Sequence, residues 1–179
     1  MASFTLRSAQ PGDRVGVDAM LARSYPPLLA ASHDAEILAA ALPAMIRASP
    51  TLLECETWFV AVSEAGEIVG CGGGTRARPG SCELEPGLGH VRHFGTHVDH
   101  LRRGIGRAIA SRMFTTARDA GVERLECYST LAAERFYLAL GFRTSEAINV
   151  PIPRLDRPGE FIEFPSLLMR RDLRDPAAD

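Results

Sequence analysis

Residues 90–109, HVRHFGTHVDHLRRGIGRAI, restrict the fold more than any other stretch of the chain. Val91, Phe94, Thr96 and Val98 suit a pleated, half-buried strand running from His90 to His97. Asp99 and His100 make a short polar turn. Leu101-Arg102-Arg103-Gly104-Ile105-Gly106-Arg107 then leads into an apolar helical run. A strand, a glycine turn with paired arginines and a helix start together build an anion site. The helix N-terminus presents N–H groups without intrahelical partners and the positive end of a dipole. Gly104 and Gly106 carry no Cβ, so a phosphate can approach the backbone closely. Arg102, Arg103 and Arg107 add charge that pairs with phosphate. The predicted ligand is a phosphorylated cofactor lying across a strand–helix junction.

Charge elsewhere supports a small anionic ligand. The net charge is −2, so no global basic field points to nucleic acid. With 179 residues the chain is expected to form a single domain, 1–179, with residues 170–179 as a frayed tail. No apolar run approaches the roughly 20 residues that span a bilayer, and MASFTLRSAQPGD lacks a signal-peptide core. Cys55, Cys71, Cys82 and Cys127 are scattered without a C-x-x-C pair, which reads as reduced thiols in a cytoplasmic protein.

Along the chain, Phe4 to Arg7 alternates as a short strand, and Asp13 is placed to cap a helix. Tyr25-Pro26-Pro27 is expected to end that helix. A second helix spans about Asp34 to Ala48, with a kink or break at Pro43. Residues 57–62 and 68–72 read as a hairpin, with Gly72-Gly73-Gly74 permitting a bulge or a close ligand approach. Residues 76–89 form a loop. After the strand at 90–97 comes a helix from about Gly104 to Ala120, with Ile105, Ile109, Met113 and Phe114 on its buried stripe. A strand at Val122 to Tyr128 follows. Thr130 is placed to cap a helix over Leu131–Leu140, and a strand runs from Phe142 to about Val150. Pro151, Pro153 and Pro158 mark a loop, and a last strand from Phe161 to Met169 is interrupted at Pro165. The order implies a mixed α/β layer with a central sheet and a parallel βαβ unit around residues 90–128.

Two stretches carry a resemblance. FGTHVDHLRRGIGRAI and AAERFYLALGF (residues 132–142, an A-x-x-x-Y-x-x-x-G-F pattern), separated by one helix and one strand, together resemble the GNAT-type, acetyl-CoA-dependent N-acetyltransferase family, over Phe4 to about Leu173. The resemblance implies a mostly antiparallel central sheet with one parallel βαβ unit and flanking helices. It implies an acetyltransferase that moves an acetyl group from acetyl-CoA to an amine of a small molecule or peptide, with no metal. By the same resemblance the backbone of Phe94, Gly95 and Thr96 pairs with the pantetheine arm. Leu101, Arg102, Arg103, Gly104, Ile105, Gly106 and Arg107 hold the pyrophosphate. The family's loop form is Q/R-x-x-G-x-G/A, and Leu101 departs from it at the first position. Thr130 falls where many members carry an asparagine that touches the cofactor.

Tyr137 matches the family's tyrosine that protonates the CoA sulfur. A phenol held within hydrogen-bond reach can give its proton to a thiolate; the competing reading is a side chain that only packs the helix on the sheet. His90 stands where some members carry a basic glutamate, and an imidazole pKa near 6.5 suits proton acceptance at neutral pH. Placed just after Gly89, it also reads as a solvent-facing loop histidine. Glu83, Glu85 or a water chain are the other routes for the proton. Period-two spacing puts His90, Arg92, Phe94 and Thr96 on one face, and His93 and His97 on the other. Tyr25, His33, Trp58 and Arg92 are candidates to line an acceptor site between the first two helices and the 76–89 loop. Arg92 is the candidate to recognise a carboxylate.

The expected partners are acetyl-CoA and an amine acceptor, with no nucleic acid and no membrane; a homodimer through the C-terminal strands is a further expectation. The alternative function is a non-catalytic acyl-CoA sensor or interaction module on the same fold. A Rossmann-type nucleotide site fits worse, since the turn has no G-x-G-x-x-G and a meander precedes the βαβ unit.

Overall fold

The parallel pairing that the sequence places near residue 90 is unusually short. In the computed structural model, which describes residues 4–175, strand β4 (Leu88–Thr96) pairs with β5 (Arg124–Thr130) only through Leu88↔Arg124, Gly89↔Leu125 and His90↔Glu126. Beyond that point the two strands part. The rest of β4 stays bonded to β3 (Ile68–Thr75), and the rest of β5 to β7 (Phe161–Asp172). With β1 (Phe4–Ser8), β2 (Trp58–Ser63) and β6 (Arg143–Pro153), the sheet order is β1-β2-β3-β4-β5-β7-β6, antiparallel except for β4 and β5.

A bulge steers the divergence. Cys71 opposes Gly95 and Gly73 opposes Arg92, so two steps on β3 face three on β4. The extra residue falls at His93 and Phe94, and His93 takes a φ of 45°. A bulge bends its strand and re-aims the neighbouring side chains. The glycines 72–74 lie opposite this step.

Two helical layers cover the sheet. On one face α4 (Ile105–Asp119) and α5 (Glu134–Leu138) bury Ile105, Ile109, Met113, Phe114 and Tyr137 against Val91, Leu125, Cys127 and Met169. On the other, α1 (Arg14–Leu29) and α3 (Pro50–Leu53) pack Val17, Met20, Leu21, Leu52 and Leu53 against Trp58, Val60 and Cys71. There α2 (Ala35–Met45) seats Leu38 and Ala41 on Phe164.

Several sequence expectations change, most of them at prolines. Helix α1 runs through Pro26 and Pro27 to Leu29 instead of stopping at Tyr25. The prolines remove two N–H donors, but Leu21 and Leu29 are buried on either side of them and the Tyr25 hydroxyl donates to the Phe94 carbonyl at 2.8 Å. Tertiary packing therefore outweighs the local preference. Pro43 likewise sits inside α2, which ends at Met45. Pro151 and Pro153 belong to β6, where an outermost strand needs no outward N–H. Pro165 does not interrupt β7: pairing with β5 ends at Ser166, and the Pro165 carbonyl is bonded to His33 Nε2 at 3.0 Å. Asp13 spends its carboxylate on Arg7 (2.7 Å, two bonds) and on the Gln10 N–H, not on a cap of α1. Thr130 makes no side-chain cap either; a 3₁₀ turn, Leu131–Ala133, precedes the short α5. Residues 170–173, expected to open a frayed tail, are instead held on the fold. Arg170 to Asp172 pair with β5, Arg171 is buried and donates to the Leu140 carbonyl, and the Leu173 N–H bonds the Glu123 carbonyl at 2.7 Å. Residues 176–179 of that expectation lie outside the described residues.

Gly73 is the tightest point of the β2–β3 hairpin. A Cβ there would meet the Thr57 carbonyl oxygen and lie 2.6 Å from Trp58 Cα, both backbone atoms that cannot step aside cheaply. Gly73→Ala is expected to lower unfolding free energy by about 1–3 kcal/mol in urea titration. Gly12→Ala, where a Cβ meets nothing within 4 Å, should change it by less than about 0.5 kcal/mol. Equal midpoints for the two variants would contradict the packing described.

Candidate functional site

The arginine turn, residues 101–107, sits where β4 gives way to α4. After a 3₁₀ turn at Val98–His100, Leu101 is extended and 39% exposed, Arg102 takes a φ of 60° and Gly104, at the helix N-cap, a φ of 82°. Left-handed backbone at Gly104 favours glycine by conformation alone, since a Cβ would meet nothing there. Turns of this kind point successive N–H groups into one concavity, backed by the unpartnered N–H groups of the first helical turn. Arg102, Arg103 and Arg107 are exposed around it, and among the described residues none of the three forms an ion pair.

From here a cleft follows the gap between β4 and β5. Its first section, about 270 Å³, runs past Gly95, Thr96, Leu101, Thr130 and Phe136. Its second, about 350 Å³, continues to Met45, Arg47, Arg92 and His93. Tyr25, Phe94, Thr130, Ala133 and Tyr137 line both sections. The cleft therefore brings Phe94, Gly95, Thr96, Leu101, Thr130 and Tyr137 together, as expected from the sequence, and leads to the arginine turn.

Tyr137 stands at the junction. Its ring meets Phe136, Phe142 and Phe94 edge-on at 5.1, 5.4 and 6.2 Å, and the residue is 5% exposed. Burial first, and the neighbouring Cys127 thiol second, push its pKa well above the usual phenol value. The same burial pushes Cys127 up to about 12. Tyr137 is thus a neutral hydrogen-bond donor across the physiological range, and Cys127 is a small apolar wall residue.

The histidines do not follow simple alternation. His90 is not a solvent-facing loop residue: it is 2% exposed on β4, with Nδ1 3.9 Å from Glu126 Oε2. Glu126 also accepts from Arg170 Nε at 3.0 Å. Burial lowers the His90 pKa, opposed by Glu126. His90 is not among the side chains that line the cleft. His93 is, because the bulge breaks the period-two rule and turns it inward. Its Nε2 lies 2.8 Å from the Met45 carbonyl oxygen, so Nε2 carries the proton and Nδ1 the lone pair. Burial lowers its pKa, with Arg92 adding to the effect, and the ring is neutral at pH 7. No sequence signal marked His93, although the three glycines opposite marked the bulge that turns it.

Of the acceptor-site candidates, Tyr25 and Arg92 line the cleft. His33 instead stacks on Phe164 at 4.4 Å, and the fully buried Trp58 donates its Nε1–H to the Arg92 carbonyl at 3.0 Å. Both are structural. Glu83 and Glu85 lie outside the cleft, in the 76–87 loop, where Glu85 pairs with Arg124 at 3.1 Å and Glu83 lies 3.9 Å from Arg78. Among the described residues no group of three or more His, Cys, Asp or Glu side chains is placed to hold a metal ion, and no helix is long and apolar enough to cross a membrane.

A family model described as the acetyltransferase (GNAT) family matches residues 20–142. Solved structures of similar fold include a GCN5-related N-acetyltransferase from Rhodopseudomonas palustris (TM-score 0.70, 18% identity, 96% of this chain and 97% of that one). Another is the PaiA N-acetyltransferase from Thermoplasma acidophilum in complex with coenzyme A (0.67, 12%, 95% and 99%). A third is the ribosomal-protein-S18-alanine N-acetyltransferase from Escherichia coli (0.61, 15%, 96% and 94%). No curated protein matches the chain.

Two histidines, His90 and His93, give a pH signature. Both have folded-state pKa values below the unfolded value of about 6.5, so the unfolded chain binds protons first as pH falls. Their contribution to stability is complete above pH 6.5 and declines below it, before carboxylates titrate. Urea unfolding should show stability falling from pH 7.5 to pH 5, with a shallower fall in His93→Gln. A flat profile over that window would contradict the burial described.

Proposed function

The chain belongs to the acetyltransferase (GNAT) family, and on that premise we propose that it moves an acetyl group from acetyl-CoA to an amine by direct attack on the thioester. The observation that carries the reading is the position of Tyr137: a buried, neutral phenol where the two sections of the cleft meet, whereas the other phenol there, Tyr25, donates its hydroxyl hydrogen bond to the Phe94 carbonyl.

Each part of the cleft fits a part of acetyl-CoA. The turn at 101–107, with its N–H groups and three unpaired arginines, suits a pyrophosphate. The inner edge of β4 at Phe94–Thr96 is not covered by β5, which leaves a strand edge for the amides of the pantetheine arm, with Thr130 across the gap. The thioester would then reach Tyr137. The amine nitrogen of the acceptor forms a bond to the acetyl carbonyl carbon and the C–S bond breaks. Tyr137 gives its proton to the departing sulfur. The amine must lose a proton, and we assign its receipt to Nδ1 of His93, the neutral histidine on the cleft wall, in preference to His90, which faces Glu126. Holding both reactants in one narrow cleft removes much of the entropic barrier to a bimolecular attack.

Tyr137→Phe is expected to lower kcat by about 100-fold or more while CoA affinity, measured by calorimetry, stays within about threefold. Near-normal turnover would remove the acid role. Acetyl-CoA binding by the native chain without CoA release across a broad amine panel would identify a sensor instead of an enzyme. Arg102→Ala with Arg103→Ala should weaken CoA binding by about tenfold at low salt, and less at 1 M salt, where the Debye length shrinks to about 3 Å. An unchanged dissociation constant would remove the phosphate role of this turn.

A further inference from the structure

The far end of the cleft carries two cations and no acid. Arg92 and Arg47 line it, and no Asp or Glu does. Most arginines near a carboxylate in this chain are paired with it: Arg7 with Asp13, Arg154 with Asp156 and Arg174 with Asp172, all at 2.7 Å. Arg92 is different. It is only partly exposed, and its guanidinium donates to the neutral Thr75 hydroxyl at 3.0 Å. Among the described residues it forms no ion pair, and neither does Arg47. A guanidinium has five N–H donors in a planar fork that matches a carboxylate. Keeping one half-buried beside a single neutral partner is costly unless an anion arrives to complete it. Ala44, Met45, Pro79, Ile152 and Pro153 supply apolar wall beside the arginines, with Tyr128 and Ser129 as polar neighbours.

We propose that the acceptor is a small primary amine bearing a carboxylate and an apolar group, of the α-amino-acid kind, whose carboxylate is bound by Arg92 with Arg47 at the mouth of the cleft. This deepens the acetyl-transfer reading and rests on it. The amine end points along the cleft toward Tyr137 and the carboxylate toward Arg92, which lies one residue before His93 on the bulged strand. The apolar side chain packs on Met45, Ile152 and Pro153. A polycationic amine is disfavoured by the same two arginines, neither of which forms an ion pair among the described residues. The product is an N-acetylated carboxylic acid, with the atoms balanced as in the direct attack described above.

The test is steady-state CoA release by the full chain with acetyl-CoA and three groups of acceptors: leucine, methionine and phenylalanine; their amides; and spermidine. The free acids should give kcat/KM at least about 10-fold above the corresponding amides, although the amides hold more of their amine neutral at pH 7. Arg92→Gln should collapse that acid-to-amide ratio by about 10- to 100-fold. Arg47→Gln, at an exposed position with no bearing on the core, should lower the ratio by about threefold or more. Amides or spermidine used as well as the free acids by the native chain would overturn the carboxylate inference and leave acetyl transfer standing. A ratio unchanged in both variants would overturn it as well. Absence of CoA release with every amine would overturn acetyl transfer, and this inference with it.

Discussion

The parallel pairing of β4 and β5 lasts three residues, and the rest of the site depends on its stopping there. Had the ladder continued in register to Phe94 and Thr130, the edges of both strands would be satisfied by one another and no cleft would exist. A bulge at His93 and Phe94 adds a residue to β4 and bends it away. Flanking partners hold the separation: β3 on one side, β7 on the other, and the Tyr25 hydroxyl bonded to the Phe94 carbonyl from above the sheet. The opening is a built feature of the sheet, with backbone groups along its edge and packed aromatic rings at its floor.

Charge is distributed along this opening in an order that suits a reaction. Arginines with no ion pair among the described residues mark each end, exposed at the α4 turn and partly sheltered at Arg92. Between them the walls are mostly apolar, and two of the titratable groups there, Tyr137 and His93, are both held in their neutral forms by burial. A neutral phenol can give a proton and a neutral imidazole can take one. The low-dielectric middle that shifts these groups also strengthens each hydrogen bond made there.

Much of this was legible in the sequence. The G-x-G turn with its arginines, the helix it begins, and the A-x-x-x-Y-x-x-x-G-F stretch located the anion end and Tyr137, because a glycine turn and a periodic helix are local features. The prolines misled in both directions. Pro26-Pro27 reads as a helix end and Pro151–Pro153 as a loop, since local preference does not reveal that Leu21 and Leu29 are buried around the first pair or that the second lies on an outermost strand. Alternation puts His93 on the face away from the cleft for a related reason. Strict alternation holds only until a bulge, and a bulge depends on the register with a strand twenty residues away. His90, read as a loop side chain or a base, is instead buried against Glu126 by the three-residue pairing itself.

Hydrogen–deuterium exchange, read on the full chain with and without acetyl-CoA, tests most directly whether the parted strands hold the cofactor. Added protection is expected in peptides spanning 91–97, 101–108 and 127–137, with residues 143–153 of β6 unchanged. No change in the first three segments, or protection centred on β6, would contradict a cofactor lying in the gap between β4 and β5.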